Sequence, residues 1–148
     1  MKRCVIIGAG SSGLYAAQHL YEHLPKDYTV TVIDRREFYY HLPAAVRANV
    51  APADSEKSWP ESICVPLSGV FSKCKFKPEA GQVRGEVLLG EVVSLDSTTS
   101  LTYRDIAKDE KKQLEYEYLV IALTNLADAT ELMLSDRSLH RDPSGSNR

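Results

Sequence analysis

The stretch Cys4-Val5-Ile6-Ile7-Gly8-Ala9-Gly10-Ser11-Ser12-Gly13 decides the fold. A short apolar strand runs straight into G-x-G-x-x-G. Gly8 permits a tight turn off the strand. Gly10 lacks a Cβ, so a pyrophosphate can approach the backbone, and Gly13 lets the following helix pack close to the strand. The first-turn N–H groups of that helix, with its positive dipole end, then face the phosphates.

The motif is weak alone, but its neighbours agree with it. A helical pattern follows, with Leu14, Ala17, Leu20 or Tyr21, and Leu24 on one face, and Pro25 stops it. A second apolar strand, Tyr28-Thr29-Val30-Thr31-Val32-Ile33, ends at Asp34, where the dinucleotide fingerprint places an acid for the ribose hydroxyls. Strand, glycine turn, helix, strand and acid therefore predict a dinucleotide-binding βαβ unit. The competing reading is a glycine turn in some other βαβ unit, with Asp34 as a strand-end cap.

Further along, residues 35–63 read as an excursion with an aromatic cluster, a short helix candidate and a Ser/Pro/Glu-rich loop. Residues 64–71 suggest a short helix or turn starting at Pro66. Residues 86–96 and 100–103 have strand character, and Arg104-Asp105-Ile106-Ala107-Lys108-Asp109-Glu110-Lys111-Lys112 reads as a solvated hairpin tip. The apolar run Tyr116-Glu117-Tyr118-Leu119-Val120-Ile121-Ala122 then returns as a strand to the parallel sheet. The predicted class is α/β: a Rossmann-like FAD/NAD(P)-binding domain with a βαβ start and a small antiparallel meander. The expected boundaries are a partial binding domain at 1–124 and a divergent, largely disordered tail at 125–148.

A chain of 148 residues suits one domain, and a net charge of −2 gives no electrostatic case for nucleic acid or an anionic membrane. No run of about 18 apolar residues predicts a transmembrane segment, and the start of the chain lacks signal-peptide character. Cys4, Cys64 and Cys74 carry no paired spacing, which points to reduced thiols and a cytoplasmic setting.

Four stretches resemble the N-terminal part of the FAD domain in flavoproteins of the pyridine nucleotide-disulphide oxidoreductase superfamily. Within it they look similar to the apoptosis-inducing-factor-like NAD(P)H:quinone reductases, including the ferroptosis-suppressor type. The stretches are 5–17, 30–47, 90–96 and 116–122. The second discriminates best, because Phe38-Tyr39-Tyr40-His41 followed by Ala44-Ala45-Val46-Arg47 has no role in a generic Rossmann unit. The resemblance implies FAD as cofactor and NAD(P)H as co-substrate in full-length relatives. It places Gly8, Ala9, Gly10, Ser11, Ser12 and Gly13 around the FAD pyrophosphate, Asp34 on the ribose, Arg47 on the cofactor and the Val92 backbone at the adenine. Two other readings stay open: Arg35 and Arg36 reading an NADP 2′-phosphate, and Arg47 as a plain surface charge. His41 is left outside the catalytic set, and no catalytic acid or base is identified.

The sequence also departs from that pattern. Ala122-Leu123-Thr124-Asn125 stands where relatives carry Ala-Thr-Gly, and a β-branched Thr at positive φ costs roughly 1 kcal/mol or more. No second G-x-G-x-x-G follows, so the expectation is an N-terminal fragment that does not turn over alone. The alternative is a non-catalytic dinucleotide-binding or interaction module, with self-association open.

Overall fold

The computed structural model describes residues 2–41, Ala44, 63–75 and 83–123. The glycine segment turns between β1 (Lys2–Ile7) and α1 (Ser11–His23), and the chain returns as β2 (Tyr28–Asp34), parallel to β1. Two short strands, β3 (Phe38–Tyr40) and β4 (Cys64–Pro66), pair antiparallel as a separate ribbon. Then come β5 (Gly85–Ser97), β6 (Ser100–Asp105), β7 (Glu110–Glu115) and β8 (Tyr118–Ile121). The main sheet has six strands in the order β7-β6-β5-β2-β1-β8. This is the incomplete Rossmann-like α/β architecture read from the sequence.

One strand belongs to both halves of the sheet. The first part of β5 runs parallel to β2, from Gly85 opposite Val30 to Leu89 opposite Asp34. Its second part pairs antiparallel with β6, from Gly90 opposite Asp105 onward. The handover falls at Gly90, where a Cβ would stand 2.7 Å from the Tyr103 ring and 3.0 Å from the Arg104 carbonyl oxygen. A side chain there would push β6 away from β5.

The sheet buries both faces, which is why β1 and β2 read as nearly continuous apolar runs. Ile6, Val30 and Val32 pack with Ala17 and Tyr21 of α1 and with Leu67, Val70 and Cys74. Val5, Ile7 and Ile33 point to the other face, where Leu95, Leu101, Tyr103, Leu114 and Tyr116 of the meander cover them. Alternate residues along each strand thus feed two separate cores.

Residues 64–71 match the sequence expectation in part: a short helical turn follows Pro66, but Cys64–Pro66 is a strand. They form β4 and then a single turn of 3-10 helix at Leu67–Gly69. The strand was hidden because its partner β3 is distant in sequence and neither is longer than 3 residues. The Leu67 N–H donates to the Glu37 carbonyl at 2.9 Å, closing the ribbon, and Leu67 itself is buried. The final strand is also shorter than the apolar run. Tyr116 N–H and Glu117 N–H go to the carbonyls of Thr99 and Arg3 before the ladder begins. The charged segment is the expected hairpin tip, with its flanks inside β6 and β7.

The C-terminus of α1 carries a cap with no sequence signature. Arg84 is 2% exposed. Its Nε donates to the Tyr21 carbonyl at 3.0 Å and its Nη1 to Pro25 at 3.0 Å. Its Nη2 donates to Tyr21 at 2.8 Å and Leu24 at 2.6 Å. A fixed cation thus meets the terminal carbonyls at the negative end of the helix dipole. The guanidinium also lies 5.6 Å from the Tyr21 ring centroid. We expect Arg84→Ala to cost roughly 3 kcal/mol by urea denaturation, from lost charged hydrogen bonds and uncapped carbonyls. Arg84→Lys restores only part of that, because one ammonium cannot span three carbonyls.

The meander has an acid-sensitive anchor. Burial pushes the Asp96 carboxyl up, but hydrogen bonds from Ser94, Thr102 and Gln113 more than offset this and hold it below 3.8. Ser94 Oγ and Thr102 Oγ1 each donate at 2.6 Å. A carboxyl depressed in the folded state stabilises above its unfolded value, and that contribution is lost as pH falls through the folded value. Asp96→Asn is therefore expected to lower stability at pH 7 and to flatten the loss of stability below 3.8 in denaturation curves recorded against pH.

Candidate dinucleotide site

Strands β1, β2, β8 and the first part of β5 are parallel, so their C-terminal ends share one edge. From β1 the chain goes to β2 on one side, and it later returns to the other side as β8. Ligands of open α/β sheets bind beyond the strand ends, at the point where strand order reverses. The glycine loop sits at this point because it leaves the end of β1.

Backbone and side-chain contacts pin the loop on both sides. Gly8 N–H donates to the Ile33 carbonyl at 2.9 Å, and Ala122 N–H donates to the Ile7 carbonyl at 2.8 Å. Gly8 has φ +99°, and a Cβ on it would stand 2.6 Å from the Ala122 carbonyl oxygen. A Cβ on Gly13 would fall 2.0 Å from the Gly8 carbonyl oxygen. Both positions accept glycine alone: Gly8 for its dihedral and the close carbonyl, Gly13 for the close approach of helix to loop. Among the residues read from the sequence, these two have their roles fixed by steric contact within the fold itself.

Asp34 closes the loop. Its Oδ2 accepts the Ala9 N–H at 2.7 Å, and its Oδ1 accepts the Arg36 N–H at 2.9 Å. Its side chain is only 11% exposed. The acid at the end of β2 is thus tied to the turn after β1. The two arginines beyond it are engaged with carboxylates. Arg36 Nε lies 3.6 Å from Asp34 Oδ1, and Arg35 Nη1 lies 3.7 Å from Glu91 Oε1. Glu91 also pairs with Arg104 across the meander at 2.5 Å.

At the start of α1, Gly10 is extended (φ −70°, ψ 179°) and no side chain caps the helix. The first turn contains no acidic residue. Ser11 and Ser12 are exposed, and Gly10 is half-buried. A helix end with this polarity, two hydroxyls and a loop of small residues fits a phosphate group.

Val92 lies on β5, three residues past the Leu89–Asp34 pairing, opposite Tyr103. Its side chain packs on the meander core, and the strand register shifts just after it. Arg47 lies outside the described residues, as do Thr124 and Asn125 of the altered turn. His41 Nδ1 accepts the Ala44 N–H at 3.2 Å, and its ring meets Tyr39 edge-on at 6.0 Å. These are structural contacts. Cys4, Cys64 and Cys74, all among the described residues, form no disulfide, and burial pushes the Cys4 thiol up, away from reactivity. Among the described residues no helix is long and apolar enough to cross a membrane.

Two features escaped sequence reasoning. Glu91, linking Arg35 to Arg104, had no signal beyond its place in a β-rich run. The Ala9–Asp34 clasp was hidden because the fingerprint assigns that carboxylate outward, to a ribose.

Known proteins agree with this architecture. The chain is 26% identical over 121 residues to apoptosis-inducing factor 1 of Saccharomyces cerevisiae, covering 82% of this chain and 26% of that protein. It is 29% identical over 122 residues to apoptosis-inducing factor homolog B of Dictyostelium discoideum, covering 82% and 24%. Among solved structures, the sulfide:quinone oxidoreductase of Aquifex aeolicus superposes with TM-score 0.58 at 27% identity, over 82% of this chain and 24% of that one. The NDH2 of Plasmodium falciparum shares the fold, with TM-score 0.54 at 21% identity, over 85% and 23%. The chain spans about a quarter of the length of these relatives. The family pattern itself runs across residues 2–128, and the chain belongs to the pyridine nucleotide-disulphide oxidoreductase family.

Proposed function

We infer that this chain supplies the adenosine-diphosphate side of an FAD site in an NAD(P)H-oxidising flavoprotein. The observation that carries the reading is the glycine loop, clasped to Asp34 and set at the strand-order reversal, with an uncapped helix end beside it. Gly8, Ala9, Gly10, Ser11, Ser12 and Gly13 would hold the pyrophosphate. Asp34 Oδ1 and Oδ2 would exchange part of their present backbone bonding for the ribose hydroxyls. The Val92 backbone would border the adenine, and Arg47 would offer a guanidinium to the cofactor.

Bound flavin supplies the two-electron redox chemistry, and the protein supplies placement and electrostatics. The residues gathered here bind and orient. The helix end concentrates positive potential on the diphosphate, and the buried sheet keeps the loop rigid. The resemblance to apoptosis-inducing-factor-like proteins, and to an enzyme named for sulfide and quinone, favours a quinone-type electron acceptor in the full flavoprotein. The quinone step, the choice of FAD and the inactivity of this chain alone all belong to the proposal.

Calorimetric titration of the full chain with FAD, ADP and FMN tests it. FAD and ADP should bind and compete with each other, while FMN, which lacks the ADP half, should not bind. Gly10→Ala keeps dihedrals open to any side chain, so it should preserve the melting temperature yet weaken FAD by about tenfold or more. Equal binding of FMN and FAD, or wild-type FAD affinity in Gly10→Ala, would sink the assignment. A parallel assay of NADH oxidation with a soluble quinone and added FAD should show no turnover from this chain.

A further inference from the structure

The outer face of α1 carries an aromatic ladder unrelated to the glycine loop. Tyr15, His19 and His23 follow one another at a spacing of four, so they lie along one stripe of the helix. The Tyr15 and His19 rings are nearly parallel, with centroids 6.3 Å apart. The His19 and His23 rings stack at 4.1 Å with 23° between their planes. All three side chains are exposed, and none takes part in either core.

We propose that His19 and His23 form a two-imidazole site for a divalent first-row transition metal. Two observations converge on it. The spacing brings two rings together from adjacent turns. His23 Nδ1 contacts the His19 carbonyl at 2.8 Å, and a carbonyl only accepts, so Nδ1 carries the proton. With Nδ1 held on a backbone carbonyl, Nε2 is the nitrogen left to bind a metal, which is how ligating histidines are usually oriented.

Imidazole nitrogen selects Ni²⁺, Cu²⁺ and Zn²⁺ over Mg²⁺ and Ca²⁺. Stacked rings do not aim both Nε2 atoms at one point, so binding requires the exposed His19 side chain to leave the stack. That motion leaves the backbone in place. Among the described residues no third ligating side chain joins the cluster, so water completes the coordination shell. The ion would staple one turn of the helix whose other end carries the glycine loop.

The test is calorimetry of the full chain with Ni²⁺ under reducing conditions, beside His19→Gln, His23→Gln and His41→Gln. Gln keeps helix propensity at exposed positions, so the two helix variants should fold as the parent does, read by circular dichroism. The expected result is one saturable site, weakened about tenfold or more by either helix variant and unchanged by His41→Gln. Long-range ¹H–¹⁵N spectra with Zn²⁺ should show the His23 Nε2 resonance, and not Nδ1, shifting on binding. The proposal is overturned if binding survives either helix variant, if it follows His41, or if no saturable binding occurs.

Discussion

The distance between Gly13 and the Gly8 carbonyl sets the geometry of this molecule. A single added carbon at position 13 would lie 2.0 Å from that oxygen. The helix can start only where the turn off β1 has already been made, and the turn needs positive φ at Gly8. The same pair of glycines brings α1 flat against the sheet, so that Ala17 and Tyr21 reach Ile6, Val30 and Val32. Helix placement, the first core and the position of the helix end where strand order reverses follow from one close approach.

Around that approach the sheet divides its work. β1 and β2 lie in the interior of the sheet and bury both faces, which makes the loop that leaves them rigid. β5 spends its first half extending the parallel sheet and its second half starting the meander, with Gly90 at the change. The meander then covers the face opposite α1. Two ion-paired or hydrogen-bonded links cross this second layer: Asp96 with Ser94 and Thr102, and Glu91 with Arg104 and Arg35. The second reaches back to the residue after Asp34, so the meander and the acidic end of β2 are tied together.

The βαβ start was legible because each step has a local physical cause: an apolar run, glycines at fixed spacing, a helical stripe stopped by Pro25, and a second apolar run ending in an acid. The hairpin tip was legible from its charge. What stayed hidden depends on partners distant in sequence. β3 and β4 are each too short to show a period, and they become strands only through one another. Arg84 reads as an isolated charge before a strand, yet it caps a helix some 60 residues earlier in the chain. The inward hydrogen bond from Ala9 to Asp34 could not be read from a motif that lists only what the acid gives to a ligand. Val92 was placed by resemblance, and its side chain has a packing role that any strand residue there would share.

The most direct measurement is a backbone amide map of the ¹⁵N-labelled full chain titrated with ADP. If the loop and the helix end form the diphosphate site, the largest shifts fall on Ala9, Gly10, Ser11, Ser12 and Gly13. The Arg36 amide should move as well, as its bond to Asp34 is disturbed. Perturbations centred on the charged hairpin at 104–112, with the glycine loop silent, would contradict the account.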